Sequence, residues 1–417
     1  MISALLFVCY FFLLLYLFKR LTKKMDLDLA PWQITAIFTC RVLLGCLYGW
    51  VFLKYYGGDD TWMFFSDSLA EKSKMLQHPL TFFSDLTPDA AFKEGNNFMQ
   101  GLAFYSRNLE YYSLVKLLAI FDLFSGSNYY IDLLFFEFLI LWGPVLLFKL
   151  LNRNFPGNRN TLLVIIFFLP TLHFWLAGIR AEGLLLLFMA LILYQTNKWF
   201  VSRKFIDFLW IVLATAGFFI YRSQYLLVFL PAFIGWTISR SSPKKAVLYF
   251  LSIYLICIVA FTVSLWISPN KNLALPVIQR QQEFMRLHGN TRLALDSLHP
   301  TLSSFVQVFP VAFCNTLIRP LITEAKGSLQ ILTSIEIMLG WVLFIIWFFY
   351  RRPGWKKILT NPLILLFIFY GFSQILLVGY TVPFPGAIIR YKSIPIQFLL
   401  ISVGLSINWS KIYSIFK

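Results

Sequence analysis

The chain has 417 residues, of which 59% are hydrophobic and only 13% are charged. An ordinary soluble domain is roughly 45–50% apolar and about 25% charged, so this composition excludes a soluble globule. A membrane-spanning helix uses about 20 residues, and the apolar content suffices for roughly ten to twelve such helices. The sequence therefore predicts an all-α integral membrane protein that crosses the bilayer many times.

Apolar runs bounded by charged or turn-forming residues define the predicted spans. Eleven are predicted in chain order, at residues 2–18, 35–53, 130–148, 161–173, 183–196, 205–221, 224–238, 246–267, 329–350, 362–380 and 393–407. The range is ten to twelve, because the fourth, fifth and seventh runs are shorter than the about 17–25 residues of a straight crossing. Such short runs predict buried helices that stop at a cavity.

The net charge of +17 would suggest a nucleic-acid partner if the protein were soluble. Here 19 cations, accompanied by only three acids, fall in the loops that the predicted spans place on one side. Because Lys and Arg accumulate in cytoplasmic loops, the sequence predicts an N-terminus outside and a C-terminus inside. The charge is thus explained by orientation in a lipid bilayer, and no nucleic-acid partner is expected.

The opposite side carries nearly all of the long irregular sequence. Two large extracytoplasmic loops are predicted, at residues 55–129 and 268–328. Residues 112–126 are apolar but contain Lys116 and Asp122, which predicts an interfacial helix lying along the membrane surface. No internal repeat or appended soluble domain is recognisable, so residues 1–417 are expected to form a single polytopic membrane domain with an extracytoplasmic functional face.

Acidic candidates for a functional site follow the second span, in the segment Gly57-Gly58-Asp59-Asp60. Two glycines permit a sharp turn at the membrane surface, and adjacent carboxylates tend to differ in protonation. Asp59 or Asp60 could act as a general base towards a hydroxyl group, or the pair could hold a divalent cation. The alternative is a solvated, turn-forming loop.

A polar break at residues 173–182 contains Arg180 and Glu182. Ionisable groups in or near the membrane are costly unless they are paired or hydrated, so both are candidates to line a cavity. The alternative is that they pair with other loop charges. Deeper in predicted spans the main charges are Arg41, Glu137 and Glu336, and Arg41 with Glu336 could form a buried ion pair without a direct function.

Four further basic candidates lie at the outer ends of predicted spans or in adjoining loops: Arg222, Arg319, Arg390 and Lys392. The positive-inside rule does not explain cations at these points. Arginine binds phosphate through paired hydrogen bonds and keeps its charge when buried. The group therefore suits a phosphate or pyrophosphate, and snorkelling of the side chains to lipid headgroups is the alternative.

Four segments of the chain resemble multispanning proteins of bacterial surface-polysaccharide loci, a group related to the GT-C glycosyltransferases and the EpsG-like polysaccharide polymerases. The segments are GGDD, FWLAGIRAEG, LIRPLITEAKGSLQILTSIE and PFPGAIIRYKSIPIQF. The resemblance implies a polyprenyl-phosphate-linked sugar donor and a catalytic base at Asp59 or Asp60. It also implies that Arg319, Arg390 and Lys392 hold phosphate.

Two departures qualify the transfer of these roles. GT-C enzymes commonly begin with the N-terminus inside, whereas here an additional span precedes the acidic motif. EpsG-like polymerases are defined more by arginines in outer loops, which would give Arg180 more weight than Asp60.

The sequence thus predicts a multi-pass glycosyltransferase or polysaccharide polymerase of the bacterial inner membrane. It would transfer sugar from a polyprenyl-linked donor to a glycan acceptor at the extracytoplasmic face, with inversion at the anomeric carbon. One alternative is a transporter or flippase for a lipid-linked or anionic substrate, in which the same arginines bind without chemistry. A scaffolding role within an envelope assembly is the other.

Overall fold

A computed structural model describes residues 2–87, 98–267, 272–288, 291–325 and 327–414, with the side chains of residues 98–104, 106, 107 and 171 left aside. It is 81% helical. Among the described residues, β-structure is limited to an isolated antiparallel bridge between Arg351 and Ile407. The all-α class that the composition predicts is confirmed.

The helices of the first half are α1 (Ile2–Lys24), α2 (Pro31–Tyr56), α3 (Asp60–Gln77), α4 (Pro79–Ser84), α5 (Phe98–Ser125), α6 (Tyr129–Ile140), α7 (Trp142–Asn154), α8 (Arg159–Phe167), α9 (Pro170–Leu176) and α10 (Ala181–Ser202). Those of the second half are α11 (Phe205–Ser239), α12 (Ala246–Ile267), α13 (Leu275–Arg286), α14 (Leu302–Leu317), α15 (Ser328–Phe349), α16 (Trp355–Leu359), α17 (Pro362–Thr381), α18 (Pro385–Tyr391), α19 (Ser393–Leu405) and α20 (Trp409–Tyr413).

Within the described residues, eight helices are long and apolar enough to cross a membrane. They are α1, α2, the α6 and α7 pair, α10, α11, α12 with the short turn before it, α15 and α17. A ninth would be the α18 and α19 pair, which is bent by 54°. These helices define a multi-pass membrane protein, while the count of eleven spans and the orientation in the bilayer stay predictions.

Two interruptions of helices coincide with features of the sequence. The backbone of α11 leaves helical geometry at Arg222, with φ −157° and ψ 74°, in the turn predicted between the spans 205–221 and 224–238. The predicted span 161–173 is divided between α8 and α9, and Pro170 is the first residue of α9. Proline suits the first turn of a helix, because the N–H groups there have no acceptor within the helix and the absence of one breaks no hydrogen bond.

The described residues group into two compact units, and each is treated by itself. The first comprises Met1–Pro156 and Ile166–Ser223, and the second comprises Gly157–Ile165 and Gln224–Lys417. In the first unit α3 packs on α5 and α7 packs on α10. In the second unit α17 packs between α14 and α19, and the rings of Phe367 and Phe398 stack with centroids 4.3 Å apart.

The predicted interfacial helix at 112–126 is part of the longer helix α5. The charges that suggested a polar membrane surface, Lys116 and Asp122, are buried. Lys116 Nζ donates to Glu71 Oε2 of α3 at 2.9 Å, and Asp122 accepts a hydrogen bond from Ser68 of α3. The helix is confirmed, its two charges pack against α3, and its place at the membrane surface stays a prediction.

Candidate functional site around Asp59 and Arg180

The segment Gly57-Gly58-Asp59-Asp60 forms the junction between α2 and α3. Gly57 and Gly58 have φ of 70° and 107°, left-handed conformations that favour glycine. The Asp59 side chain caps α3 by accepting a hydrogen bond from the Thr61 N–H at 3.2 Å. Asp60 lies exposed in the first turn of α3, where the helix dipole favours a carboxylate. The two adjacent carboxylates therefore have different surroundings.

Asp59 forms an ion pair with Arg180, the residue that precedes α10. Arg180 Nη2 contacts Asp59 Oδ2, and the Tyr48 hydroxyl donates to the same oxygen at 2.8 Å. The guanidinium Cζ lies 4.7 Å from the centroid of the Tyr48 ring, within cation–π range. The side chains of Arg180 and Asp59 are only 5% and 13% exposed. The structure thus joins two predicted site residues that are 121 positions apart.

Arg180 retains hydrogen-bonding capacity beyond this pair. Its Nε and Nη1 atoms are buried and have no hydrogen-bond partner among the described residues. A guanidinium carries five N–H donors in one plane, and leaving a buried donor unsatisfied costs about 1–3 kcal/mol. The free donors are therefore suited to an anionic oxygen.

A buried ion pair holds the turn that carries Arg180. Arg41 Nε donates to Glu137 Oε2 at 2.6 Å, and Arg41 Nη2 donates to the Leu176 carbonyl at 2.5 Å. The Gly178 N–H donates to Glu137 Oε1 at 2.6 Å. The pair thereby satisfies main-chain groups of the turn between α9 and α10 and links that turn to α2 and α6.

The suggested pairing of Arg41 with Glu336 is wrong, because the partner of Arg41 is Glu137. Helices α2 and α6 pack together. Gly45 permits the approach, since a Cβ there would lie 2.7 Å from Glu137 Oε1. His173 belongs to the same network, with Nδ1 3.5 Å from Arg41 Nη1. Arginine is only a donor, so the imidazole nitrogen accepts in this contact.

A second set of contacts ties the start of α3 to α6 and to the same turn. Thr61 Oγ1 accepts a hydrogen bond from the Ile179 N–H at 3.2 Å and lies 3.1 Å from the Tyr129 hydroxyl. The Trp62 ring stacks on Tyr129 with centroids 3.8 Å apart. Because Ile179 directly precedes Arg180, these contacts fix the main chain beside the guanidinium.

Sequence analysis did not single out Tyr48, Thr61 or Tyr129. An aromatic residue within an apolar run is usually a packing residue, and a threonine near a helix start has many local uses. The available signal was proximity along the chain, since Thr61 directly follows the acidic pair.

Two other predicted site residues belong to the first unit. Glu182 is buried in the first turn of α10, where the helix dipole favours its negative charge. Arg222 Nη1 contacts Glu110 Oε1 of α5, at the break in α11. Arg222 is thus ion-paired, and its predicted role in phosphate binding stays a prediction.

The Lys392 ammonium is bonded to main-chain carbonyls of the second unit. Lys392 is 4% exposed, and its Nζ donates to the carbonyls of Thr316 at 2.7 Å and Arg319 at 3.0 Å. These carbonyls lie at and just beyond the end of α14, so the lysine caps that helix. The Arg319 side chain turns to Glu324, with Nε 3.2 Å from Oε1.

Arg390 lies in α18. Its Nη2 donates to the Tyr391 hydroxyl at 2.7 Å, and its Cζ lies 4.7 Å from the centroid of the same ring. Of the other two cations, Lys392 contacts Arg319 through the Arg319 main-chain carbonyl. Phosphate binding by these second-unit cations stays a prediction.

The geometry around Asp59 bears on the predicted divalent cation. Asp59 Oδ1 already accepts from Thr61, and Oδ2 contacts Tyr48 and Arg180. The guanidinium would repel a metal ion at this carboxylate. Across the part of the chain that the structure describes, no three His, Cys, Asp or Glu side chains are grouped to hold a metal ion. The arrangement favours Asp59 as the partner of Arg180.

Aromatic side chains lie beside the exposed face of α3. The Tyr111 hydroxyl donates to Asp67, and the Tyr111 ring lies against Phe64 and Tyr112 at 5.1 and 5.4 Å. Burial and the bond to Asp67 raise the pKa of Tyr111, and the charge of Asp60 adds to the effect. Tyr111 thus lies against α3, the helix that begins at Asp60, and is an aromatic group of the kind that stacks on sugar rings.

Comparisons with family models, with curated proteins and with solved structures gave no match to this chain. The fold and the site by themselves define the class of protein. This is an all-α, multi-pass membrane protein with a buried carboxylate and arginine pair at the junction of its helices.

Proposed function

We propose that the protein is a glycosyltransferase or polysaccharide polymerase of the bacterial inner membrane. It uses a polyprenyl-phosphate-linked sugar donor at the extracytoplasmic face to extend a cell-surface glycan. The substrate class rests on the resemblance of the four sequence segments. The observation that carries the proposal is the buried Arg180 guanidinium, which pairs with Asp59 and keeps Nε and Nη1 available. Such a group is suited to a phosphate oxygen.

The two carboxylates take different roles in this proposal. Both carboxylate oxygens of Asp59 are already engaged, Oδ1 by the Thr61 N–H and Oδ2 by Arg180 and the Tyr48 hydroxyl. Asp59 positions Arg180. Asp60 is the next residue and is exposed, so an acceptor sugar can reach its carboxylate.

In the proposed reaction Asp60 accepts the proton of the acceptor hydroxyl as that oxygen attacks the anomeric carbon. The bond from the anomeric carbon to the phosphate oxygen breaks, and the lipid phosphate leaves with the electron pair. Arg180 stabilises the charge that develops on the leaving phosphate. By the resemblance, Arg319, Arg390 and Lys392 of the second unit are separate candidates for phosphate contacts.

The test is glycan elongation by the purified full-length protein in proteoliposomes, with undecaprenyl-linked glycan extracted from the source cells as substrate. Asp60→Asn is expected to lower the rate about 10²- to 10⁴-fold, the usual contribution of a general base. Arg180→Lys is expected to lower it as well, because a lysine lacks the planar fork. Asp85→Asn, a surface carboxylate paired with Lys74, is the matched control. Normal elongation by Asp60→Asn would remove this residue from the mechanism.

A transporter or flippase is the second candidate, and the interrupted helices favour it. The α18 and α19 pair is bent by 54°, and α11 is broken at Arg222. Discontinuous helices commonly form the substrate sites of secondary transporters. Movement of the lipid-linked glycan across the vesicle bilayer, without formation of a glycosidic bond, would support this candidate instead.

A further inference from the structure

A buried cluster of carboxyl and hydroxyl groups lies between α3, the end of α5 and the start of α6, outside the contacts of Arg180. Asp122, Asp132, Ser68 and Ser125 are each at most 1% exposed. The Ser68 hydroxyl donates to Asp122 Oδ2 at 2.7 Å. The Asp132 carboxyl group lies against the Asp122 carboxyl group and the Ser125 hydroxyl.

The surrounding side chains supply too few donors to this cluster. Asp122 Oδ1 and both carboxyl oxygens of Asp132 accept no hydrogen bond from the described residues. Lys72 directs its Nζ to the Asp122 carbonyl at 3.0 Å and to Ser127 Oγ at 2.9 Å. Two ionised carboxylates are acceptors only, and buried charges must be paired or coordinated. Either a proton shared by the two carboxyl groups or a cation held between them is therefore required.

The positions of the two carboxylates in their helices favour a metal cation over a shared proton. Asp132 lies in the first turn of α6, where the helix dipole stabilises a negative charge. Asp122 lies in the last turn of α5, whose C-terminal carbonyls attract cations. Gly126 and Ser127 then adopt φ of 64° and 61° and end the helix. The C-terminal ends of helices coordinate sodium ions in membrane transporters.

The local charge and the ligand type select the ion. Two carboxylates and the Lys72 ammonium leave one negative charge, which a monovalent cation neutralises. The neighbouring ion pairs, Lys116 with Glu71 and Lys74 with Asp85, are each neutral. The cluster offers only oxygen atoms, whereas transition metals prefer nitrogen or sulfur ligands. We propose that Asp122 and Asp132 bind one sodium ion, with the Ser125 hydroxyl as a further ligand.

The ion would join α5 to α3 and α6, the two helices of this cluster that also contact the turn carrying Arg180. Ser68 lies two turns beyond Thr61 in α3, and Asp132 lies one turn beyond Tyr129 in α6. Thr61 and Tyr129 contact each other. Sodium binding thus stabilises the packing that supports Arg180, and the inference holds whether the protein transfers sugar or transports it.

The test is the apparent Tm of the purified full-length protein in detergent, measured as NaCl replaces choline chloride at constant ionic strength. Wild-type protein is expected to gain about 1–2 °C at saturation, the shift for roughly 1–2 kcal/mol of linked binding in a chain of 417 residues. Asp132→Asn, which keeps the side-chain shape, is expected to abolish the gain. Asp85→Asn is the control and is expected to keep it.

Either of two results would overturn the proposal: a wild-type Tm that does not respond to sodium, or an Asp132→Asn variant that responds as wild type does. If Asp132→Asn fails to fold, calorimetric titration of choline-exchanged wild-type protein decides. One sodium per chain is expected, and absence of saturable binding would leave a shared proton as the occupant. Asp122→Asn, compared in the same titration, is expected to lose the binding.

Discussion

Gly178 lies in the turn that carries Arg180, and it lets this turn pack closely on the Tyr48 ring. Its φ is +86°, and a Cβ at this position would lie 2.9 Å from Cδ1 of Tyr48. The Tyr48 ring is the surface over which the Arg180 guanidinium lies. The conformation and the close approach therefore both require glycine here.

Gly178→Ala is expected to lower stability through two effects. The left-handed backbone costs roughly 1–2 kcal/mol for an alanine, and overpacking against Tyr48 adds about 1–3 kcal/mol. Gly157→Ala is the control that shows the backbone effect alone, because Gly157 has φ +85° and no atom lies within 4 Å of a Cβ added there. The apparent Tm of both variants in detergent checks the expectation, and equal losses would contradict the contact with Tyr48.

At the scale of elements, one ion pair joins three parts of the first unit. Arg41 of α2 and Glu137 of α6 bond to each other and to the turn before α10. Their side chains are 4% and 0% exposed. A pair this deeply buried has been removed from water at a high desolvation cost, so loss of one partner leaves a charge that nothing compensates.

Glu137→Gln is expected to destabilise the protein by about 3–5 kcal/mol, the range for breaking a buried pair. Glu283→Gln is the matched control, because the Arg280 and Glu283 side chains are 31% and 43% exposed and such a pair contributes about 0–1 kcal/mol. Unfolding in a graded denaturing detergent measures the difference. The double change Arg41→Met with Glu137→Leu is expected to be milder than Glu137→Gln alone. A loss as small as that of Glu283→Gln would show that the pair is not buried in the folded protein.

At the scale of the whole molecule, the distribution of positive charge predicts the orientation of the chain. The loops assigned to the cytoplasm hold 19 of the 36 Lys and Arg residues. Residues outside them are nearly balanced between cations and acids, so we predict that the net charge of +17 reflects orientation in the membrane.

Reporter fusions check this orientation. A green fluorescent protein fused after residue 417 is expected to fluoresce, because it folds only when it stays in the cytoplasm. Alkaline phosphatase fused after residue 87 is expected to be active, because it requires export. An inactive phosphatase at residue 87, with an active one at the C-terminus, would reverse the predicted topology and move the candidate site to the cytoplasmic face.

The helices could be predicted from the sequence because hydrocarbon leaves the backbone no partner other than itself. Long apolar runs must then be helical, as α2, α12 and α17 are. The break of α11 at Arg222 also lies in the turn that the sequence predicts between residues 205–221 and 224–238. The sequence placed Lys116 and Asp122 at a surface, because hydropathy does not show which charges find partners on another helix.

The sequence by itself determined an all-α membrane protein, the approximate places of its apolar helices, and an acidic turn at Asp59 and Asp60. These follow from local hydropathy and turn chemistry. Only the tertiary structure decided the pairs: Arg180 with Asp59, and Arg41 with Glu137 instead of Glu336. The choice of partner depends on which helix faces meet, and any arginine and carboxylate in the apolar runs are equivalent until the packing of the helices brings two of them into contact.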